Sequence, residues 1–148
     1  MADTLRPIPG NKPTPHMNAL FRGNALTSFN GTFQLVLQQT DGNLVLQIND
    51  PNQNPNSGMI NGPIWNAGTQ GNGSVAILQD DGNFVVYGNN VGDPNDQFFN
   101  TKTFGHSPFA GYLIVQDDGN LVLYDGNKNA LWQSGTSAGE SRGSNAKI

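Results

Sequence analysis

Gln116-Asp117-Asp118-Gly119-Asn120-Leu121-Val122-Leu123-Tyr124 is the stretch that sets the fold class of this chain. Asp-Gly-Asn between two apolar runs is a hairpin turn: Gly adopts a positive φ without steric cost, and Asp and Asn side chains bond to nearby backbone. The apolar segment Tyr112 to Val115 leads into the turn, and Leu121 to Tyr124 leads out of it. Successive side chains of a strand point to opposite faces. Leu121 and Leu123 therefore share one face, expected to point inward, while Asn120, Val122 and Tyr124 share the other.

The same nine-residue pattern occurs twice more. One copy is Gln39-Thr40-Asp41-Gly42-Asn43-Leu44-Val45-Leu46-Gln47, and another is Gln79-Asp80-Asp81-Gly82-Asn83-Phe84-Val85-Val86-Tyr87. The copies begin at 39, 79 and 116, so they are 40 and 37 residues apart. Apolar segments precede them, at Leu35 to Leu37 and Val75 to Leu78 in the first two. After each copy comes an aromatic residue followed four positions later by Thr: Trp65 and Thr69, Phe99 and Thr103, Trp132 and Thr136. A fixed period of this length marks an array of equivalent units. Each unit reads as a strand, a tight turn, a returning strand, a loop and an aromatic-bearing strand. An isolated hairpin is marginal in water, so three such sheets must bury their apolar faces against one another. The three aromatics are then expected to meet near a common pseudo-threefold axis as core anchors.

The composition points the same way. With 148 residues the chain fits one domain. Gly (19) and Asn (21) are abundant, and the single Glu is Glu140, so residues that favour tight turns outnumber those that favour helix. An all-β class follows. The absence of Cys excludes a disulfide and a thiolate metal site. The net charge is −4 and the seven basic residues are scattered, which argues against nucleic acid as a partner. No apolar run approaches the length of a membrane span, and Met1 to Gly10 has no apolar core of a secretory signal. The expectation is a cytoplasmic protein, or one released without a classical signal peptide. The sequons at Asn30 and Asn72 read as products of the Asn and Gly content. Four prolines mark residues 1–19 as an extended arm, residues 20–136 hold the three repeats, and residues 137–148 read as a small polar tail.

The outward set of each copy carries chemistry. Gln, Asp, Asn, Val and Tyr at every second position offer a carboxylate, two carboxamides, a phenol and one apolar contact. A pyranose needs these groups: its adjacent hydroxyls donate and accept, and its C–H face needs an apolar wall. Bonds to a charged group are the stronger ones, so Asp is expected to hold the hydroxyls. Asp-Gly-Asn is also an ordinary turn sequence, but that does not account for Gln two residues ahead of Asp or for Tyr closing two copies at one offset.

The pattern Gln-x-Asp-x-Asn-x-Val-x-Tyr resembles the mannose-binding motif of the bulb-type, or monocot, mannose-binding lectins. The resemblance spans roughly Leu20 to Thr136 and includes Trp-x-x-x-Thr. It implies the β-prism II fold, three four-stranded antiparallel sheets in pseudo-threefold symmetry, each with a shallow mannose pocket that uses no metal and no other cofactor. By position it assigns Asp81 and Asn83, with Asp118 and Asn120, to the axial 2-hydroxyl. It assigns Gln79 and Gln116 to the 3-hydroxyl, Tyr87 and Tyr124 to the 4-hydroxyl, and Val85 and Val122 to the ring carbons. In the first copy Gln39, Asp41, Asn43 and Val45 form a weaker site, because Gln47 stands where the motif has Tyr. Phe99 stands where the other repeats have Trp. The long loops Asn49 to Pro63 and Gly88 to Gln97 lie beside the first two sites. The resemblance also implies a homodimer made by exchange of a C-terminal strand, Asn129 to Thr136 or the tail beyond it.

The expected function is that of a lectin for mannose or mannose-containing glycans, and not an enzyme; the other reading is a prism scaffold that binds protein partners and has lost its sugar sites. Hydrolysis needs two carboxylates at a set separation, and the neighbours Asp80-Asp81 and Asp117-Asp118 point to opposite faces of a strand. His16 and His106 are each alone. A calcium loop starting at Asp80 would need Glu twelve positions in, where Val91 stands.

Overall fold

The computed structural model describes residues 3–50 and 60–137. Within them lie twelve strands: β1 (Thr4–Leu5), β2 (Ala19–Phe21), β3 (Ala25–Thr27), β4 (Phe33–Leu37), β5 (Leu44–Ile48), β6 (Gly62–Asn66), β7 (Val75–Leu78), β8 (Phe84–Tyr87), β9 (Gln97–Asn100), β10 (Tyr112–Val115), β11 (Leu121–Tyr124) and β12 (Ala130–Gln133). They form three four-stranded antiparallel sheets, in the orders β3-β4-β5-β6, β2-β7-β8-β9 and β1-β10-β11-β12. The architecture has the three sheets that the repeats predict, in keeping with the prism that the resemblance implies. Among the described residues there is no α-helix, and no helix long and apolar enough to cross a membrane.

Each repeat supplies three strands of its sheet, and the fourth comes from the first 27 residues. β1 borders the third sheet, β2 the second and β3 the first. The Pro-rich segment is thus extended and built into the body. Leu5 is fully buried, Arg6 N donates to Met17 O at 2.9 Å, and Asp3 N donates to Thr27 O at 3.2 Å. The middle of the Asn49 to Pro63 loop and the tail beyond Ser137 lie outside the described residues.

The inward faces are those the alternation predicts. Leu44, Leu46, Phe84, Val86, Leu121 and Leu123 belong to one apolar core. Against it the rings of Trp65, Phe99 and Trp132 meet in edge contact, with centroids 5.6, 5.5 and 6.1 Å apart. Such contacts add roughly 0.5–1.5 kcal/mol per pair beyond burial. One β-bulge recurs in every sheet, beside the last motif residue: the pairing slips between Leu46 and Gln47, Val86 and Tyr87, and Leu123 and Tyr124. The unpaired residues are Ile64, Phe98 and Leu131 on the aromatic strands. A bulge raises the local twist and bends the strand that carries the extra residue, here the aromatic strand of each sheet.

Leu5→Ala tests whether β1 is part of the core. Truncating a buried Leu costs about 2–5 kcal/mol, whereas a change in an appended arm stays within about 0.5 kcal/mol. Urea denaturation of the full chain is expected to show the larger loss.

Candidate functional site

The turn of each motif is built by its own residues. Asp41, Asp81 and Asp118 each accept, through Oδ1, the backbone N–H of the Asn two residues on, at 2.9 Å in all three. The intervening Gly42, Gly82 and Gly119 have φ of 72°, 93° and 88°. A Cβ on Gly82 would stand 2.9 Å from Thr103 O, so the position demands Gly for space as well as for φ.

The Asn side chain then clasps the turn to the strand that carries the axial aromatic. Asn43, Asn83 and Asn120 accept through Oδ1 from the backbone N–H of Thr69, Thr103 and Thr136, at 3.0, 3.3 and 3.2 Å. Those threonines return the contact, with Oγ1 donating to the carbonyl of Gly42, Gly82 and Gly119 at 2.8, 2.7 and 2.6 Å. The recurrence of Thr four residues after the aromatic has its physical reason here.

Other groups of the motif remain available. Among the described residues, Oδ2 of Asp81 and of Asp118 accepts from no protein donor, and Nδ2 of Asn43 and of Asn83 donates to no protein acceptor. Asn120 differs, because its Nδ2 donates to Gln133 Oε1 at 2.8 Å. In the second repeat Gln79 Nε2 donates to Tyr87 Oη at 2.6 Å, and in the third Gln116 Nε2 donates to Tyr124 Oη. Each phenol accepts from the carboxamide, which leaves its own O–H to donate outward and Gln Oε1 to accept. Val45, Val85 and Val122 are buried between these groups.

The second and third sites differ in enclosure. Tyr87 is only 4% exposed and packs with Val75, Ile77 and Val85, with Phe21 at its flank. Burial pushes the Tyr87 phenol above its ordinary 10.0; the Gln79 bond opposes this and the Asp81 carboxylate adds to it. Tyr124 is half-buried and Asp118 is exposed. The Tyr124 ring lies 5.5 Å from that of Tyr112, and the Arg6 guanidinium sits 4.7 Å from the Tyr112 centroid. A cleft of about 430 Å³ opens beside Gln116 and Asp118.

The first repeat corrects one assignment. Its turn is one residue longer: residues 38–43 separate the pair Leu37 and Leu44, whereas 79–83 separate Leu78 and Phe84, and 116–120 separate Val115 and Leu121. The bond from Gln79 N to Asn83 O, and from Gln116 N to Asn120 O, is made by Gln38 N to Asn43 O. Gln38, not Gln39, is therefore the structural counterpart, and Gln39 is exposed. The Gln38 amide, oriented to donate, lies 2.9 and 3.2 Å from the Asp41 carboxylate oxygens. Opposite Gln47 stands Gln34, where the third repeat pairs Tyr124 with Tyr112. The signal was present in the sequence as one extra residue between the last apolar residue before the turn and the first after it. Arg6 and Phe29, which border the third site, come from outside the motif and carried no such signal.

Among the described residues no group of three His, Asp or Glu side chains is placed to hold a metal ion. His16 and His106 are both exposed. Asp80 turns away from Asp81, and its backbone and carboxylate bond to the side chain of Asn11 at 2.8 and 3.2 Å.

No protein-family model matches the chain, and no curated protein does. Solved structures do. A lectin from Japanese Marasmius oreades is 28% identical with a TM-score of 0.66, covering 93% of this chain and 94% of that one. Monomeric monocot mannose-binding lectins from Gastrodia elata are 31% identical with a TM-score of 0.60, covering 80% and 92%. A mannose-specific bulb lectin from Scilla campanulata (bluebell) is 30% identical with a TM-score of 0.56, covering 88% and 93%.

Because the Tyr87 phenol is held above 10.0 in the folded chain, an unfolded chain releases that proton first. The stability is fully present below about pH 10 and is lost as pH rises through the folded-state value. Thermal melts between about pH 8 and 11 are expected to fall more steeply for the parent than for Tyr87→Phe, which has no phenol to titrate.

Proposed function

Because the chain belongs to the bulb-type mannose-binding lectin family, whose members are non-catalytic, we propose that its carbohydrate binding is directed at mannose or mannose-containing glycans and runs through the motif hairpins without a metal ion. The observation that supports this best is the division of each Asp carboxylate in the second and third repeats. Oδ1 is committed to the turn, while Oδ2 accepts from no protein donor among the described residues. Asp81 and Asp118 thus hold a charged acceptor in fixed position for sugar hydroxyls. Gln79 and Gln116 accept beside them, Tyr87 and Tyr124 donate, and Val85 and Val122 form the apolar floor.

The third site is the open one. At the second, Tyr87 is enclosed, but Asn83 Nδ2 is unengaged among the described residues and adds a donor. At the third, Asn120 Nδ2 is held by Gln133, and the site relies on Gln116, Asp118 and Tyr124. The first, with Gln38 turned to Asp41 and no phenol, is the weakest. Four net hydrogen bonds at roughly 0.5–1.5 kcal/mol each correspond to a dissociation constant on the order of 1 mM for one mannose. Engagement of two sites by one glycan surface adds roughly 10²–10⁴.

The clasp favours a second reading in part. Asp, Gly and Asn serve the turn without any ligand, so a prism retaining them as scaffold for a protein partner would look the same at those positions. Binding to a mannoside array separates the two, since a scaffold retains none.

Asp81→Asn combined with Asp118→Asn keeps an oxygen to cap each turn and removes both charges. Mannose binding measured by calorimetry is expected to fall at least about tenfold, with the melting temperature little changed. Binding equal to the parent's rules out the motif as the site.

The same reading includes a homodimer formed by exchange of β12. This edge strand pairs with β11 of its own chain, and the same pairing is available between chains at little cost. Sedimentation of the full chain and of one ending at Thr136 is expected to give a dimer mass for both. A monomer mass for the full chain at tens of micromolar, the state described for the Gastrodia elata lectins, overturns the exchange.

A further inference from the structure

The β3–β4 turn of the first repeat stands beside the third repeat's site. Asn30 N donates to Asp117 Oδ1 at 2.9 Å, which ties the turn to the β10–β11 hairpin. Within the turn, Gly31 N donates to Ser28 O at 3.0 Å, and the buried Ser28 donates from Oγ to Asn30 Oδ1 at 2.7 Å and accepts from Phe33 N at 3.0 Å. Phe29 rides on this braced loop with 65% of its surface exposed. Its ring forms one wall of the cleft of about 430 Å³ whose other lining includes Ile114, Gln116 and Asp118.

An exposed aromatic is unremarkable when it stands alone on a surface. This one faces a cleft that shares Gln116 and Asp118 with the proposed mannose site. The chemistry of the cleft selects its occupant. An apolar peptide would bury the charges of Asp117 and Asp118 with only one backbone N–H on each to offset them, and an anion would meet like charge. A pyranose satisfies both walls: its C–H face lies on the electron-rich ring face, and its hydroxyls donate to the carboxylates and the amide. We propose that Phe29 forms a second sugar subsite, which receives the next residue of a mannose-containing glycan whose mannose occupies the third repeat. The inference rests on the mannose reading above. At the second repeat the corresponding hairpin residue Asp80 is held by Asn11, and the cleft beside it is lined by Pro7, Ile8, Pro9, Pro108 and a Phe109 that is buried, unlike the exposed Phe29.

The test is a titration of the full chain, followed site by site through backbone amide shifts. Methyl α-mannoside is compared with α-linked mannobioses of each linkage, for the parent, Phe29→Ala and Phe29→Trp. At the third repeat at least one mannobiose is expected to bind more tightly than the methyl glycoside. Phe29→Ala lowers that affinity roughly three- to tenfold, leaves the methyl glycoside unchanged, and Phe29→Trp restores it. Equal mannobiose affinity in parent and Phe29→Ala, with methyl mannoside still shifting Gln116, Asp118 and Tyr124, overturns the subsite alone. A parallel loss for both sugars also overturns it, because that marks damage to the shared loop. Methyl mannoside that shifts none of the three motif hairpins overturns the lectin reading, and the subsite with it.

Discussion

In every repeat a single carboxamide ties the hairpin turn to the strand that carries the axial aromatic. Asn43, Asn83 and Asn120 each take the amide of a Thr, and that Thr closes the loop on the Gly carbonyl. Asn83, Asn120 and the threonines are buried, so losing one partner would leave a desolvated polar group unpaired. The clasp fixes the turn relative to the core, and through the turn it fixes the Asp carboxylate. A shallow site open to water has few contacts with which to order its own side chains. Here the fold itself orders the turn and the Asp carboxylate, and on the proposed reading this is the kind of preorganisation that spares binding energy.

The motif is thus two sets of residues in one. Gly, Asn and half of each Asp serve the turn, while Gln, Tyr and the other half of the carboxylate face outward. That overlap explains how one short pattern can mark fold and function together, and why its presence alone decides neither. The difference between Asn83 and Asn120 shows the same point at one atom: identical residues at identical positions, one with its Nδ2 unengaged among the described residues and the other held by Gln133.

Periodicity made the inner face legible. Leu44 and Leu46, Phe84 and Val86, Leu121 and Leu123 follow from the two-residue alternation, and the meeting of Trp65, Phe99 and Trp132 follows from their equivalent place in each repeat, four residues before Thr. β1 and β2 were less visible, since strands of two and three residues hold too little alternation to stand out from the prolines around them. The identification of Gln39 followed the spacing to Asp41. The structure follows the backbone ladder, which counts from Leu37 and reaches Gln38. Sequence offset and strand register agree in the second and third repeats and part company in the first, because a turn can absorb a residue without disturbing the strands. Arg6 and Phe29 reach the third site through the chain's path in space, which no local pattern records.

The three sites can diverge at the positions that serve neither the turn nor the clasp. The inner face and the clasp are nearly uniform, whereas the outer pair at the end of each site differs: Gln34 with Gln47, Val75 with Tyr87, Tyr112 with Tyr124. Substitutions at such separated positions act independently. The first pair is polar and flexible, the second is sealed, and the third stacks two rings under a guanidinium. A prism of this kind holds three outer surfaces whose chemistry is set one pair at a time, on strands whose register is already held from within.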